Sequence, residues 1–120
     1  MTIVCSFSQN DRVATAISLL NGGESYGQGC SHFVATVLGI DWESANSIMG
    51  SNPTYVGINN TYSGLNPGDV VGWPSSGSGH VAIYIGETPN KRFIDVKSNG
   101  LTPRYLHGYG PNKLYKSSKY

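Results

Sequence analysis

Cys30, His80 and Asp95 are residues whose types could together carry out nucleophilic catalysis. A cysteine becomes a nucleophile once its thiol is deprotonated, and a neighbouring imidazole can take up the proton and later return it. A carboxylate can hold that imidazole in one orientation and stabilise its charged form. The three residues are far apart along the chain, so this chemistry requires a fold that brings them together.

Cys30 stands at the start of a predicted helix, on the stripe that faces the core. The first backbone N–H groups of a helix have no partner within the helix, and the helix dipole is positive there. Such a position stabilises a thiolate and lowers the pKa of the thiol. Gly27 and Gly29 would let backbone and substrate approach closely. The alternative interpretation is a small buried apolar residue, as many free cysteines are.

His80 opens the clearest predicted strand, and Asp95 lies in the middle of the next one. An acid between apolar neighbours needs a partner or water, and an imidazole on the adjacent strand would satisfy it. The connection between the two strands is short, so they can pair as a hairpin. Alternatively, His80 is a surface histidine and Asp95 is a solvent-facing aspartate. The register in which the two strands pair decides whether the two side chains meet.

The elements that must position these residues divide the chain into a helical half and a strand half. Helices are predicted over residues 11–20, with Val13, Ile17 and Leu20 on one face, and over residues 30–38. A third, short helix is predicted after an N-cap at Asp41, with Trp42 on its apolar side. Turns rich in Gly and Pro then separate predicted strands at residues 69–73, 79–85, 91–97 and 113–116. This order predicts an α+β fold in which N-terminal helices pack on an antiparallel sheet.

Composition favours one folded domain over residues 1–120. Of 120 residues, 38% are hydrophobic and 12% are charged, which argues against disorder. The net charge is +1 and the Lys and Arg residues are dispersed, so we expect no nucleic-acid partner. No apolar run is long enough to span a bilayer, and the N-terminus lacks the pattern of a signal peptide. We therefore expect no membrane span and synthesis without a signal peptide.

The other cysteine and the other histidines receive structural interpretations. Cys5 is expected to be a buried N-terminal residue, with a regulatory disulfide to Cys30 as the alternative. His32 is two positions from Cys30 in the helix, which places it off the same face and favours a structural or surface role. His107 lies in a segment rich in Gly and Tyr and is expected to be a loop residue. The two cysteines and three histidines lack metal-ligand spacing, so no metal and no cofactor are predicted.

Four segments together resemble the NlpC/P60-type cysteine peptidases. Residues 26–34 (Tyr-Gly-Gln-Gly-Cys-Ser-His-Phe-Val) resemble the block around the nucleophile, and residues 65–71 (Leu-Asn-Pro-Gly-Asp-Val-Val) resemble the L-x-P-G-D segment. Residues 79–86 (Gly-His-Val-Ala-Ile-Tyr-Ile-Gly) are similar to the strand whose histidine is the general base, and Asp95 falls where the family has a third polar residue. Gly29, His32 and Asp95 depart from the usual Asp, Gly and His of the family.

This resemblance implies a papain-like NlpC/P60 core and hydrolysis of a peptide amide in bacterial peptidoglycan. Cys30 would be the nucleophile, His80 the general base and Asp95 the orienting residue. The Tyr26 hydroxyl would contact the oxyanion, and the alternative for Tyr26 is a packing aromatic. The remaining hypotheses are a CHAP-type or other papain-like peptidase with a different peptide substrate, and a non-catalytic glycan- or peptide-binding module of the same fold.

In its small size the chain also resembles the amidase effectors of type VI secretion systems and some phage endolysins. A protein of this kind would act in the periplasm or cell wall of a target bacterium. An effector would also imply an immunity protein that binds the cleft at Cys30.

Overall fold

The computed structural model describes residues 8–77, 79–88 and 91–120. Cys5 lies outside these residues, and so does its predicted relation to Cys30. The described chain begins with three helices, α1 (Gln9–Gly22), α2 (Gly29–Leu38) and α3 (Ala45–Met49). Seven strands follow, namely β1 (Thr54–Ile58), β2 (Thr61–Tyr62), β3 (Val70–Trp73), β4 (His80–Tyr84), β5 (Phe93–Asp95), β6 (Arg104–Leu106) and β7 (Leu114–Lys116). The predicted α+β class is therefore confirmed.

All seven strands form one antiparallel sheet in the order β2-β1-β7-β3-β4-β5-β6. The last strand, β7, lies between β1 and β3 and so ties the end of the chain into the middle of the sheet. The two strands that carry His80 and Asp95 are direct neighbours, with Ile83 opposite Ile94. The hairpin pairing predicted for these strands is therefore confirmed.

Both faces of the sheet are buried. Val81 and Ile83 of β4 pack on one face with the apolar residues of α2. Ala82 and Tyr84 lie on the other face in a second apolar cluster with Phe93. The branched aliphatic side of β4 therefore faces the helices. The opposite side is buried too, because partly buried side chains from other strands and loops cover it: Tyr62, Leu65, Trp73, Leu106 and Tyr109.

The predicted apolar face of α1 is displaced in the structure. Val13, Ile17 and Leu20 are only half-buried, whereas Arg12 and Ala16 are buried. Burial of a guanidinium is tolerated when its donors are satisfied. Arg12 donates hydrogen bonds to the Gln9 side chain and to backbone carbonyls elsewhere in the chain, and an apolar pattern alone could not predict this.

The predicted start of α3 is wrong. Ser44, not Asp41, is the N-cap, because its side chain accepts a hydrogen bond from the backbone N–H of Ser47. The helix therefore begins at Ala45 and leaves Trp42 in the preceding loop with 53% of its surface exposed. Trp42 consequently becomes available to the candidate site.

Strands β1, β2 and β6 have no counterpart among the predicted strands. β1 contains Gly57, and β2 and β6 have only two and three residues, so none carries a clear alternating pattern. Pairing with neighbouring strands, not a local sequence pattern, places these three segments in the sheet.

Within the described ranges, no helix is both long and apolar enough to cross a membrane.

Candidate active site

Helix α2 places Cys30 in its first turn. Four of its side chains are completely buried, which fixes the helix in the core: Phe33, Val34, Val37 and Leu38. At the other end, Gly39 adopts φ 72° and caps the helix. At the start, the backbone N–H of Gln28 donates to Nδ1 of His32 at 3.3 Å, so His32 takes part in ordering the first turn. The nucleophile candidate therefore lies at the N-terminal end of a well-anchored helix.

Gly29 allows another part of the chain to approach Cys30. Its φ is +69°, and a Cβ built there would lie 2.6 Å from Oδ1 and 3.1 Å from the backbone N of Asn99. A side chain at this position would therefore be strained by its backbone and would also collide with the segment after β5. A Cβ at Gly27 meets no atom within 4 Å. Both glycines are predicted to permit close approach, but within the described chain only Gly29 has another segment packed against it.

The paired strands bring His80 and Asp95 together. His80 Nε2 lies 2.7 Å from Oδ2 of Asp95. The Asp95 side chain is completely buried, and that of His80 is 12% exposed. Trp73, opposite His80 in the β3–β4 register, covers the imidazole with the two ring centroids 5.0 Å apart. The orientation of the imidazole is thus fixed by both a hydrogen bond and an aromatic contact.

Cys30 and His80 line the same cleft, and hydrogen bonding and charge from His80 lower the pKa of the Cys30 thiol. Asp95 takes Nε2, which leaves Nδ1 as the ring nitrogen for the thiol. The three candidate residues named from the sequence therefore meet in one contiguous chain of side-chain contacts. This arrangement can transfer the thiol proton to an imidazole that is already oriented.

The electrostatics of the site favour a charged pair. Burial by itself raises the pKa of the Cys30 thiol, but the hydrogen bond and charge of His80 outweigh burial and lower it. Burial likewise opposes a charged His80, but its hydrogen bonds and charge interactions with Asp95 and Cys30 raise its pKa to about 9. Both shifts favour a Cys30 thiolate beside a His80 imidazolium.

Arg104 and Tyr109 complete the site, and sequence reasoning missed both. Arg104 Nε donates to Oδ1 of Asp95 at 2.8 Å, and the Tyr109 hydroxyl donates to Oδ2 at 2.8 Å. Burial would raise the pKa of Asp95, but the hydrogen bonds from His80, Arg104 and Tyr109 outweigh it and lower the pKa. The buried carboxylate therefore stays ionised. Arg104 lies opposite Asp95 in the β5–β6 register, so predicting β6 would have revealed it.

A cleft of about 670 Å³ opens over Cys30 and His80. Trp42 stands in its wall, and the indole N–H donates to the Ser31 hydroxyl at 3.0 Å. The Asn46 side chain bonds both backbone groups of Ser75, at 2.7 and 3.1 Å, and so fixes part of the loop that leads to β4. The described lining residues come from four regions of the chain: Gln28, Cys30 and Ser31; Trp42, Ser44, Ala45 and Asn46; Gly77, Gly79 and His80; and Lys97, Ser98 and Asn99.

The side chain of Tyr26 is not brought to the cleft. It is 4% exposed, and its ring packs edge-on against Phe33 and His32 with centroids 5.4 and 5.1 Å away. It does not belong to the described residues that line the cleft. This position matches the alternative interpretation, a packing aromatic, and gives no support to an oxyanion contact. His107 directly follows β6 and also lies outside the cleft lining.

Comparison of the chain with family models, with curated proteins and with solved structures gave no match. Among the described residues, no three side chains of His, Cys, Asp or Glu gather as a metal site would require. The interpretation of the site rests on its geometry, in which a thiol shares a cleft with an imidazole that a carboxylate orients.

Proposed function

We propose that this protein is a cysteine hydrolase that cleaves a peptide amide. One observation carries the proposal: the imidazole of His80 is held by Asp95 at 2.7 Å through Nε2, and His80 lines the same cleft as Cys30 at the start of α2, where it lowers the pKa of the thiol. The cleft of about 670 Å³ over these groups is within the size range of ligand sites.

The reaction follows from the roles of the three side chains. The Cys30 thiolate attacks the amide carbonyl carbon, and the resulting oxyanion lies near the N-terminal N–H groups of α2, including that of Cys30. The C–N bond then breaks as His80 gives its proton to the departing amine, which leaves a thioester on Cys30. Water, deprotonated by His80, attacks the thioester and releases the carboxylic acid and the free cysteine. Asp95 keeps the imidazole oriented throughout.

We further propose that the protein has a papain-like NlpC/P60 core and that the substrate amide lies in the peptide part of bacterial peptidoglycan. The sequence resemblance of residues 26–96 supports this narrower proposal. The resemblance implies a cysteine at the head of a helix, and Cys30 lies in the first turn of α2. The order of cysteine, histidine and third polar residue along the chain also agrees with it.

The test is digestion of purified peptidoglycan fragments followed by mass spectrometry of the products. Wild-type protein is expected to release fragments cut at one type of amide bond, and Cys30→Ala should abolish this release while its melting temperature stays close to that of wild type. Release by Cys30→Ala would refute the cysteine mechanism. Cleavage of a casein-type substrate but not of peptidoglycan fragments would favour another papain-like peptidase, and binding without turnover would favour a non-catalytic module.

For the biological setting, we propose action on the cell wall of a target bacterium from the periplasm, with an immunity protein that covers the cleft in a producing cell. The position of Cys30 in an open cleft supports such inhibition. Expression in a bacterium with and without a fused export signal tests the setting. Growth inhibition is expected only with the signal and only with Cys30 intact, and equal harmlessness of both forms would count against the wall as the target.

A further inference from the structure

The cleft has one wall that is held rigidly beside the nucleophile. This wall, residues 97–99, follows β5 and leads into a turn that is hydrogen-bonded to Tyr26. The backbone N–H of Gly100 donates to the carbonyl of Tyr26 at 2.8 Å, and the N–H of Tyr26 donates to the carbonyl of Leu101 at 3.0 Å. Asn99 also lies directly against Gly29. The wall is therefore fixed to the turn that precedes Cys30.

Lys97 gives this wall a positive charge, and the other charged groups of the site do not neutralise it. A thiolate at Cys30 and an imidazolium at His80 together carry no net charge, and the Asp95 carboxylate is paired with Arg104. No acidic side chain is found among the described residues that line the cleft. Lys97 is exposed and forms no ion pair within the described chain. The described lining of the cleft thus carries one uncompensated positive charge, that of Lys97, in the same cleft as Cys30.

We propose that Lys97 is a specificity-determining residue that selects peptide substrates with a free carboxylate beside the scissile amide. This inference rests on the proposed hydrolase function, because it names the kind of substrate that the same site takes. An ammonium group on the wall of a partly enclosed cleft attracts a carboxylate more strongly than one on an open surface, because less water screens the pair. Replacement of the carboxylate by a carboxamide removes this attraction and changes the size of the substrate very little.

Alkylation of Cys30 tests the charge without any assumption about the substrate. Iodoacetate and iodoacetamide differ mainly in that only the first carries a carboxylate, so the ratio of their rates reports the potential at the sulfur. Cys5 is replaced by serine in all variants, which leaves Cys30 as the only thiol. We expect Lys97→Met to lower the iodoacetate-to-iodoacetamide ratio about two- to fivefold at low salt. Lys97→Arg should preserve the ratio.

The matched control is Lys113→Met, since Lys113 is also exposed and does not line the cleft. It should leave the ratio unchanged, and high salt should reduce the difference between wild type and Lys97→Met. An equal ratio in wild type and Lys97→Met would overturn the proposal. The ratio can be measured even if Cys30 reacts no faster than an ordinary thiol, and that slow reaction would count against the hydrolase function instead.

A second arm uses paired peptidoglycan peptides that carry either a free carboxylate or a carboxamide next to the cleaved bond. Wild type is expected to cleave the free carboxylate form with a kcat/KM about fivefold higher, mainly through a lower KM. Lys97→Met should cleave both forms at similar rates and so lose the preference. Equal cleavage of both forms by wild type would refute the role of Lys97 and leave the hydrolase function intact.

Discussion

At the scale of single residues, Asp95 determines how the site responds to pH. The His80 proton is needed for the departing amine, and the pKa of His80 is about 9, so hydrolysis should fall as pH rises through about 9. In the acidic direction the thiolate is lost as pH falls through the lowered pKa of Cys30. We therefore expect a bell-shaped profile of kcat/KM against pH, measured with a peptidoglycan peptide.

Asp95→Asn should change this profile in a defined direction. It removes the negative charge that raises the pKa of His80, so the basic limb should move to lower pH by about one pH unit or more. The control is Asp41→Asn, because Asp41 is an exposed carboxylate outside the cleft lining. Its profile should match that of wild type. If the basic limb of Asp95→Asn stayed near pH 9, Asp95 would not be the group that holds the proton on His80.

At the scale of elements, the position of α2 relative to the segment after β5 depends on Gly29. In Gly29→Ala the new Cβ meets Asn99 at 2.6 Å from Oδ1, and the residue must also adopt a φ of +69°. We expect a loss of about 1–3 kcal/mol in the free energy of unfolding, measured by urea denaturation. The rate of Cys30 alkylation should also change, because the Asn99 backbone N, 3.1 Å from the new Cβ, must shift beside the first turn of α2.

Gly27→Ala provides the matched control for this prediction. A Cβ at Gly27 has no atom within 4 Å, so its effect on stability should stay within about 0.5 kcal/mol. Equal effects of the two substitutions would mean that the close approach at Gly29 does not constrain the site.

At the scale of the whole molecule, Arg12 joins the first helix to the end of the chain. Its side chain is 6% exposed and donates to Oε1 of Gln9 at 2.7 Å, to the carbonyl of Gly68 at 3.2 Å and to the carbonyl of Tyr120 at 2.8 Å. Arg12→Met keeps much of the volume but leaves these three acceptors without the guanidinium. We expect the free energy of unfolding to fall by about 2–4 kcal/mol, again measured by urea denaturation.

Arg12 lies outside the cleft lining, so kcat/KM of the folded Arg12→Met variant should stay close to that of wild type. Lys113→Met, a substitution of an exposed cation, should leave stability nearly unchanged. A change below about 0.5 kcal/mol in Arg12→Met would show that the helix and the chain end are held together by other contacts.

The sequence by itself determined the local features of this protein. The apolar stripe from Phe33 to Leu38 and the glycine that follows it specify α2, because a helix buries one face and ends where a residue can adopt a positive φ. The run from His80 to Tyr84 specifies a strand, since alternating side chains suit a sheet. From these two elements the sequence also predicted that Cys30 starts a helix and that His80 starts a strand.

Only the tertiary structure decided which side chains surround the nucleophile. Strand β6 is too short to have its own pattern, so the contact of Arg104 with Asp95 arises from pairing with β5. Because Ser44 is the N-cap of α3, Trp42 lies in the preceding loop and lines the cleft. Tyr26 packs instead against Phe33 and His32 in the core. Local sequence patterns fix backbone conformation over a few residues, whereas register and packing depend on partners distant in the chain. For that reason the paired strands, and not the pattern of either strand, set the 2.7 Å contact between His80 and Asp95.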